Sequence, residues 1–261
     1  MVENVFVLMP AYNAGATIES VFARIPEDVK PRIRRYVAVN DGSKDDTAAA
    51  LMRLQATIPN LVVLTHEKNR GYGEAEKTLL RYARAEGADV GILLHSDGQY
   101  SPEKISDLLA PFDNDTADLV QGSRMLGGGA RRGNMPLYKF IANKVLTAIE
   151  NWAFGMKLAE YHSGYMLYSR KAIEEIPWER LSQSFDFDLE MIVLARVKGL
   201  RIAEIAIPTI YAGEKSHLNP IKYGLDVLSI VWAYKRGKYH AMVHPPKYCG
   251  QRGPPPPRTG L

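Results

Sequence analysis

The run Gly91-Ile-Leu-Leu-His-Ser-Asp-Gly-Gln-Tyr100 ends an apolar stretch on one carboxylate, Asp97, with the amide of Gln99 two residues on. Hard divalent cations such as Mg²⁺ and Mn²⁺ take oxygen ligands and are held by one or two protein oxygens together with substrate phosphates. A carboxylate at a strand end therefore suits phosphate chemistry in which the substrate supplies the missing ligands. Asp97-Gly98 is equally an ordinary turn dipeptide, so its meaning depends on its surroundings.

Those surroundings alternate. Compact apolar runs predict strands at 5–9, 36–39, 61–65, 90–94 and around 119–120, with helices between them at 17–24, 46–57, 74–86 and 102–109. Such alternation implies an α/β fold with a mainly parallel sheet, in which ligands bind beyond the carboxyl ends of the strands. The polar residues follow the strands as that rule requires: Pro10-Ala-Tyr-Asn-Ala-Gly15, Asn40-Asp-Gly-Ser-Lys-Asp-Asp-Thr47, His66-Glu-Lys-Asn-Arg-Gly-Tyr-Gly73, His95-Ser-Asp-Gly-Gln99 and Gln121-Gly-Ser-Arg124. Five loops are expected to converge on one rim.

The second half is less regular. Apolar positions 137, 141, 145, 149 and 152 have helical spacing, with Asn134 as a cap and Pro136 in the first turn. A strand is expected at 165–168, a helix from Ser184 to Lys198, a strand at 201–207 and a last helix over 220–236. Residues 245–261, with four consecutive prolines, read as a disordered tail.

At 261 residues and 46% hydrophobic content, the chain can bury one large core. A net charge of +4 is too mild for nucleic-acid binding. From His217 onward, seven basic residues face one acid, Asp226, which suits either an anionic membrane surface or a solvated tail. One cysteine, Cys249, excludes an internal disulfide and fits a reducing compartment. Without a leader-like start or an apolar run long enough to span a bilayer, a cytoplasmic or peripheral protein is expected.

Taken in order, Pro10-Ala-Tyr-Asn13, Asn40-Asp-Gly-Ser-Lys-Asp-Asp-Thr47, Asn69-Arg-Gly-Tyr-Gly73, Asp97-Gly-Gln99, Gly122-Ser-Arg124, Ser163-Gly164 and Phe187-Asp-Leu-Glu190 resemble glycosyltransferase family 2. Within it, they are most similar to the polyprenyl-phosphate sugar transferases of the dolichol-phosphate mannose synthase type. The resemblance covers about 3–240 of the sequence. It implies a GT-A fold: a Rossmann-like nucleotide-sugar half (1–124) merged with an acceptor half (125–215), then an interfacial amphipathic helix region (216–244).

The resemblance also implies roles. Pro10, Ala11, Tyr12 and Asn13 would wall the nucleotide, Asp41 would read its base or ribose, and Gly71 and Gly73 would let the backbone approach it. Asp97 and Gln99 would hold Mg²⁺ or Mn²⁺ on the departing diphosphate. Arg124, Arg131, Arg132, Ser163 and Glu190 would face the acceptor phosphate, and Asp188 would stand where the family places a base. Two guanidinium bonds grip a phosphate well, although a solvated basic loop explains Arg131 and Arg132 equally.

The sequence departs from the family at His95, which stands for the first aspartate of Asp-x-Asp. It departs again at Asn40, Ala14 and Met166, the last of these replacing a common arginine. Asp186, Asp188 and Glu190 also suit a helix N-terminus without any catalysis. Glu214–His217 reads as a lid over the donor or as a plain connection.

The expected activity is inverting transfer of a hexose from GDP-mannose or UDP-glucose to a polyprenyl or dolichyl phosphate at the cytoplasmic membrane face. The alternatives are a saccharide or protein hydroxyl acceptor, and a nucleotide-sugar-binding subunit without turnover.

Overall fold

The computed structural model describes residues 1–133, 135–208 and 220–244, excepting the side chains at 131, 132, 220 and 221. The elements run β1 (Val5–Ala11), α1 (Ile18–Ala23), β2 (Ile33–Asp41), α2 (Thr47–Thr57), β3 (Leu61–His66), α3 (Tyr72–Ala85), β4 (Val90–Leu93), α4 (Ile105–Asp113), β5 (Leu119–Ser123), α5 (Gly129–Arg132), α6 (Leu137–Phe154), β6 (Met166–Ser169), α7 (Arg170–Glu175), α8 (Phe187–Lys198), β7 (Ile202–Ala206), α9 (Pro220–Lys235) and α10 (Lys238–Val243).

The seven strands form one sheet in the order β3-β2-β1-β4-β6-β5-β7. All neighbours are parallel except β6, which is antiparallel to both β4 and β5. The expected α/β architecture with a mainly parallel sheet is therefore present.

Strand periodicity divides the core in two. Val5, Val7 and Met9 of β1 point to one face, with Ile18, Leu51, Ile105 and Leu108. Phe6 and Leu8 point to the other, with Leu79 and Leu80 of α3 and Ile192 of α8. Burial on both faces explains why these strands read as continuous apolar runs. β1 outlasts its expected end because Pro10 and Ala11 still pair with Val39 and Asn40, beyond the last β1–β4 pair, Leu8 with Leu93.

Three departures from expectation bear on the site. α6 begins at Leu137 with Pro136 as its cap residue, and Asn134 lies outside the described residues. α8 begins at Phe187 with Asp186 at the cap, because Ser184 is held in a local turn where its N–H donates to Ser182 Oγ at 3.0 Å. The glycine-rich basic loop is instead a 3-10 turn, Leu126–Gly128, followed by the single turn α5.

The last helix is two-sided. Val227, Ile230 and Val231 of α9 join the core beside α8, whereas Leu225, Leu228 and Trp232 are exposed. α10, not foreseen from the sequence, buries Tyr239 in the same core. Among the described residues, no helix is long and apolar enough to cross a membrane. Cys249, the proline tail and the Glu214–His217 segment lie outside the described residues.

Candidate active site

The loops after β1, β2, β3 and β4 meet at the carboxyl ends of their strands, knitted by side chains that bond backbone groups. Asn13, at φ 51°, accepts the Lys44 N–H at 3.0 Å, while its own N–H donates to Ser43 Oγ at 3.0 Å. Asn40 accepts the Ser43 N–H at 3.0 Å. Ser96 donates to the Pro10 carbonyl at 2.8 Å, tying the first loop to the fourth. Ala11 is buried, but Tyr12 is 44% exposed and free to lie against a planar ligand.

Asp41, 3% exposed, is the centre of this rim. Its Oδ1 bonds His66 Nδ1 at 2.7 Å and accepts the Arg70 N–H at 2.9 Å, and its Oδ2 accepts the Gly71 N–H at 3.2 Å. The side chain thus locks the third loop onto β2 and β3. The glycines of that loop have a reason the sequence did not reveal: a Cβ on Gly71 would lie 2.7 Å from the Gln183 carbonyl oxygen, and one on Gly73 would lie 2.6 Å from that of Ser182. Their close approach is to the chain's own segment before α8.

Asp97 follows β4 on the same rim and is half-buried. Its Oδ1 accepts the Gln99 N–H at 3.0 Å, closing the expected turn. No cluster of three His, Cys, Asp or Glu side chains able to hold a metal occurs among the described residues. The donor set is one carboxylate and one amide, which suits only a hard cation that brings further oxygen ligands on its substrate.

His95, two residues earlier, faces inward. Its Nε2 lies 2.9 Å from Tyr72 Oη, and its ring packs edge-on against Tyr72 and Tyr100. Burial pulls its pKa below the ordinary value against the opposing pull of Asp97, with Arg124 adding to the depression. Gly164 makes this packing possible, since a Cβ there would stand 2.6 Å from Tyr72 Oη and 2.7 Å from His95 Cε1.

Across Tyr72 lies the acceptor side. Tyr72 donates to Asp188 Oδ2 at 2.7 Å. Burial pushes Asp188 up to about 7 against the hydrogen bond from Tyr72, which favours its charged form. Arg124 is committed to the wholly buried Glu160: its Nε donates to Oε1 at 3.0 Å, its backbone N–H to Oε2 at 2.8 Å, and its Nη2 to Oε1 and the His162 carbonyl. Burial alone would raise the Glu160 pKa, but Arg124 outweighs it and holds the group below its usual value.

The structure brings Tyr12, Asp41, Asp97, Asp188 and Arg124 to this region but turns two expected acceptor residues elsewhere. Ser163 is fully buried. Glu190 accepts the Ser182 N–H at 2.6 Å and the Tyr239 hydroxyl at 2.7 Å, joining α8 to α10. The side chains of Arg131 and Arg132 lie outside the described residues. Met166 is buried in β6. Sequence reasoning missed Tyr72 and Glu76. The signal for Glu76 was a carboxylate in the apolar stripe of α3 with Leu79, Leu80 and Ala83.

Solved structures share this fold, the GT-A fold. Glucosyl-3-phosphoglycerate synthase from Mycobacterium tuberculosis in complex with uridine diphosphate superposes with a TM-score of 0.66 at 20% identity, covering 88% of this chain and 79% of that one. The same enzyme with Mn²⁺, UDP-glucose and glycerol 3-phosphate gives 0.65 at 20% identity, over 90% and 80%. Residues 6–177 match Glycosyl transferase family 2, and the chain belongs to that family.

Relatives are named for lipid-phosphate acceptors. A UDP-N-acetylglucosamine–dolichyl-phosphate N-acetylglucosaminyltransferase of Methanococcus voltae is 28% identical over 79% of this chain and 86% of its own length. An undecaprenyl-phosphate mannosyltransferase of Micrococcus luteus is 26% identical over 78% and 82%.

Proposed function

We propose that this glycosyltransferase moves a hexose, with inversion, from a nucleotide-diphosphate sugar to a polyprenyl or dolichyl phosphate. The observation that carries the reading is the half-buried carboxylate of Asp97 after β4, on the same rim as Asp41, with His95 two residues before it linked through Tyr72 to Asp188. Tyr12 and Asp41 would hold the nucleotide, Asp41 through the acceptor capacity left on Oδ2. Asp97, with Gln99, would hold Mg²⁺ or Mn²⁺. Such a cation neutralises charge on the leaving diphosphate, which grows in the transition state and is therefore stabilised more there than in the ground state.

On the acceptor side, Arg124, whose charge reaches His95, would orient the phosphate. A phosphate monoester has a second pKa near 6, so it is already a nucleophile at neutral pH. The second reading, a hydroxyl acceptor, is favoured by Asp188 itself, since a carboxyl titrating at about 7 is suited to general-base work.

A lipid acceptor calls for a lipid-facing surface, and α6 and α9 present one. Ile141, Val145 and Trp152 of α6 and Leu225, Leu228 and Trp232 of α9 are exposed, with Lys235 4.5 Å over Trp152 and Arg236 4.0 Å over Trp232. Aromatic rings beside basic residues suit an anionic headgroup layer, at the cytoplasmic face if the compartment is as the lone cysteine suggests.

The test is incubation with Mg²⁺ or Mn²⁺, labelled UDP-glucose, GDP-mannose or UDP-N-acetylglucosamine, and polyprenyl phosphate. Label entering the organic phase supports the reading and names the donor. Label passing only to soluble sugars, or only donor hydrolysis, overturns it.

A further inference from the structure

Behind the acceptor wall lies an acid with no assigned role. Glu76 of α3 is wholly buried, and neither of its carboxyl oxygens meets a conventional donor. Asp188 Oδ1 and the Tyr168 hydroxyl are in the same condition. Yet both acids converge on the same two rings: Tyr72 Oη is 2.7 Å from Asp188 Oδ2 and 2.9 Å from His95 Nε2, which is itself 3.9 Å from Glu76 Oε1, and each carboxylate feels the other's charge. Two ionised carboxylates are acceptors only, so a bond between them exists only when one carries a proton.

The groups facing the pair offer no permanent positive charge. From α3 comes Tyr72, bonded to Asp188; from β6 comes Tyr168; from the loop after β4 comes His95, whose Nε2 is 3.9 Å from Glu76 Oε1. Tyr223 of α9 and Tyr100 lie further out. Among the described residues, neither carboxyl forms an ion pair with a lysine or arginine. Two like charges in contact, buried and without a cation, do not both persist.

We propose that Glu76 is a positioning residue for Asp188: the two carboxyls hold a single proton, carried by Glu76, so that the acceptor wall presents one negative charge instead of two. The proton belongs on Glu76 because Asp188 alone has a hydroxyl donor, Tyr72, and hydrogen bonds to the charged form favour ionisation. Burial pushes both acids upward, Glu76 well above its ordinary range. For the phosphate-acceptor reading, on which this consequence rests, halving the charge lessens the repulsion of an anionic headgroup brought beside Asp188.

Carboxyl-carbon NMR of the full chain, with glutamate and aspartate labelled, tests the shared proton without any substrate. In the wild type, one buried carboxyl stays protonated well above the ordinary carboxylate range, and its signal is absent from Glu76→Gln. Because the amide imitates the protonated acid, Asp188 in Glu76→Gln keeps its midpoint to within about half a unit. Glu76→Leu, which removes the donor, raises that midpoint by about one unit or more. Both carboxyls ionised by about pH 6 in the wild type, or a midpoint indifferent to Glu76→Leu, overturns the proposal.

The second readout is the KM for polyprenyl phosphate. It rises about tenfold in the wild type as pH is raised through the titration of that protonated carboxyl, when the second charge appears, and stays flat in Glu76→Gln. A rise of equal size in both proteins overturns the charge-halving role. A positive NMR result with no transfer to polyprenyl phosphate removes the acceptor reading and leaves the shared proton standing.

Discussion

The donor rim and the acceptor wall solve the same problem, holding polar side chains inside a parallel sheet, by opposite means. On the rim, Asp41, Asn13 and Asn40 receive backbone N–H groups from neighbouring loops. On the wall, the partners are side chains far apart in sequence, Arg124 with Glu160 and Tyr72 with Asp188, and Glu76 lacks a conventional one altogether. Backbone donors cannot change protonation, so apart from His66 beside Asp41 the rim is fixed. Side-chain acids can, so the wall is a charge state that answers to pH and to the acceptor.

The sharpest way to break this contrast is Asp97→Asn. The amide keeps an oxygen to accept the Gln99 N–H, so the turn and the melting temperature should be unchanged. Loss of the charge should cost about 10²–10³-fold in kcat, and Mn²⁺ should no longer strengthen binding of the nucleotide diphosphate in calorimetry. Transfer within about tenfold of wild type would place the cation elsewhere.

Arg124→Ala attacks the wall through stability. It strands Glu160, which is fully buried, and removing one partner of a buried ion pair costs about 3–5 kcal/mol in denaturant unfolding. Glu160 has a depressed pKa, so the pair's stabilisation is complete above the unfolded value and is lost as pH falls through the folded one. Arg124→Ala should therefore show a flatter acid limb than wild type. Adding Glu160→Gln should recover stability without recovering transfer, if Arg124 orients the acceptor.

The contrast also explains what was legible in the sequence. The rim follows local rules: apolar runs end at β1, β2 and β4, and turn residues follow them, so Asp41 and Asp97 could be placed at strand ends, and the family resemblance supplied their roles. Even there, the partners of Gly71 and Gly73 were hidden, because the segment at 182–183 comes from the other half of the chain. The wall is assembled by the antiparallel insertion of β6 between β4 and β5 and by packing of α8 against α3. Spacing does not encode that assembly. Glu76 looked like a flaw in an apolar stripe, and Glu190 like an acceptor contact until α10 supplied Tyr239.

Asp188→Asn sharpens the comparison at smaller amplitude. With the folded pKa raised from 3.8 to about 7, the native protein keeps a proton that the unfolded chain releases in that window. Wild-type stability therefore falls as pH rises from about 4 to about 7 on account of Asp188, with Glu76, also raised, adding to the fall. The variant should keep only the Glu76 part of this fall and be more stable at about pH 8 by on the order of 1–3 kcal/mol. Transfer to polyprenyl phosphate should drop less than about tenfold, whereas a hydroxyl acceptor would lose about 10²–10⁴-fold.

The smallest effect concerns the exposed face of α6 and α9. α9 divides its apolar residues, Val227, Ile230 and Val231 inward and Leu225, Leu228 and Trp232 outward. Trp152→Ser with Trp232→Ser should leave the fold intact, because both rings are exposed, at 74% and 58%. If these rings seat the protein on lipid, binding to anionic vesicles at low salt should fall about tenfold, since two aromatic anchors are lost while the basic residues remain. The residual binding should then be more steeply salt-dependent, because charge alone sustains it. Transfer to a short, water-soluble polyprenyl phosphate should be unaffected and transfer to vesicle-borne acceptor reduced. Equal loss on both acceptors would mean that the rings support the wall itself, and the division of α9 into a core face and a lipid face would fail.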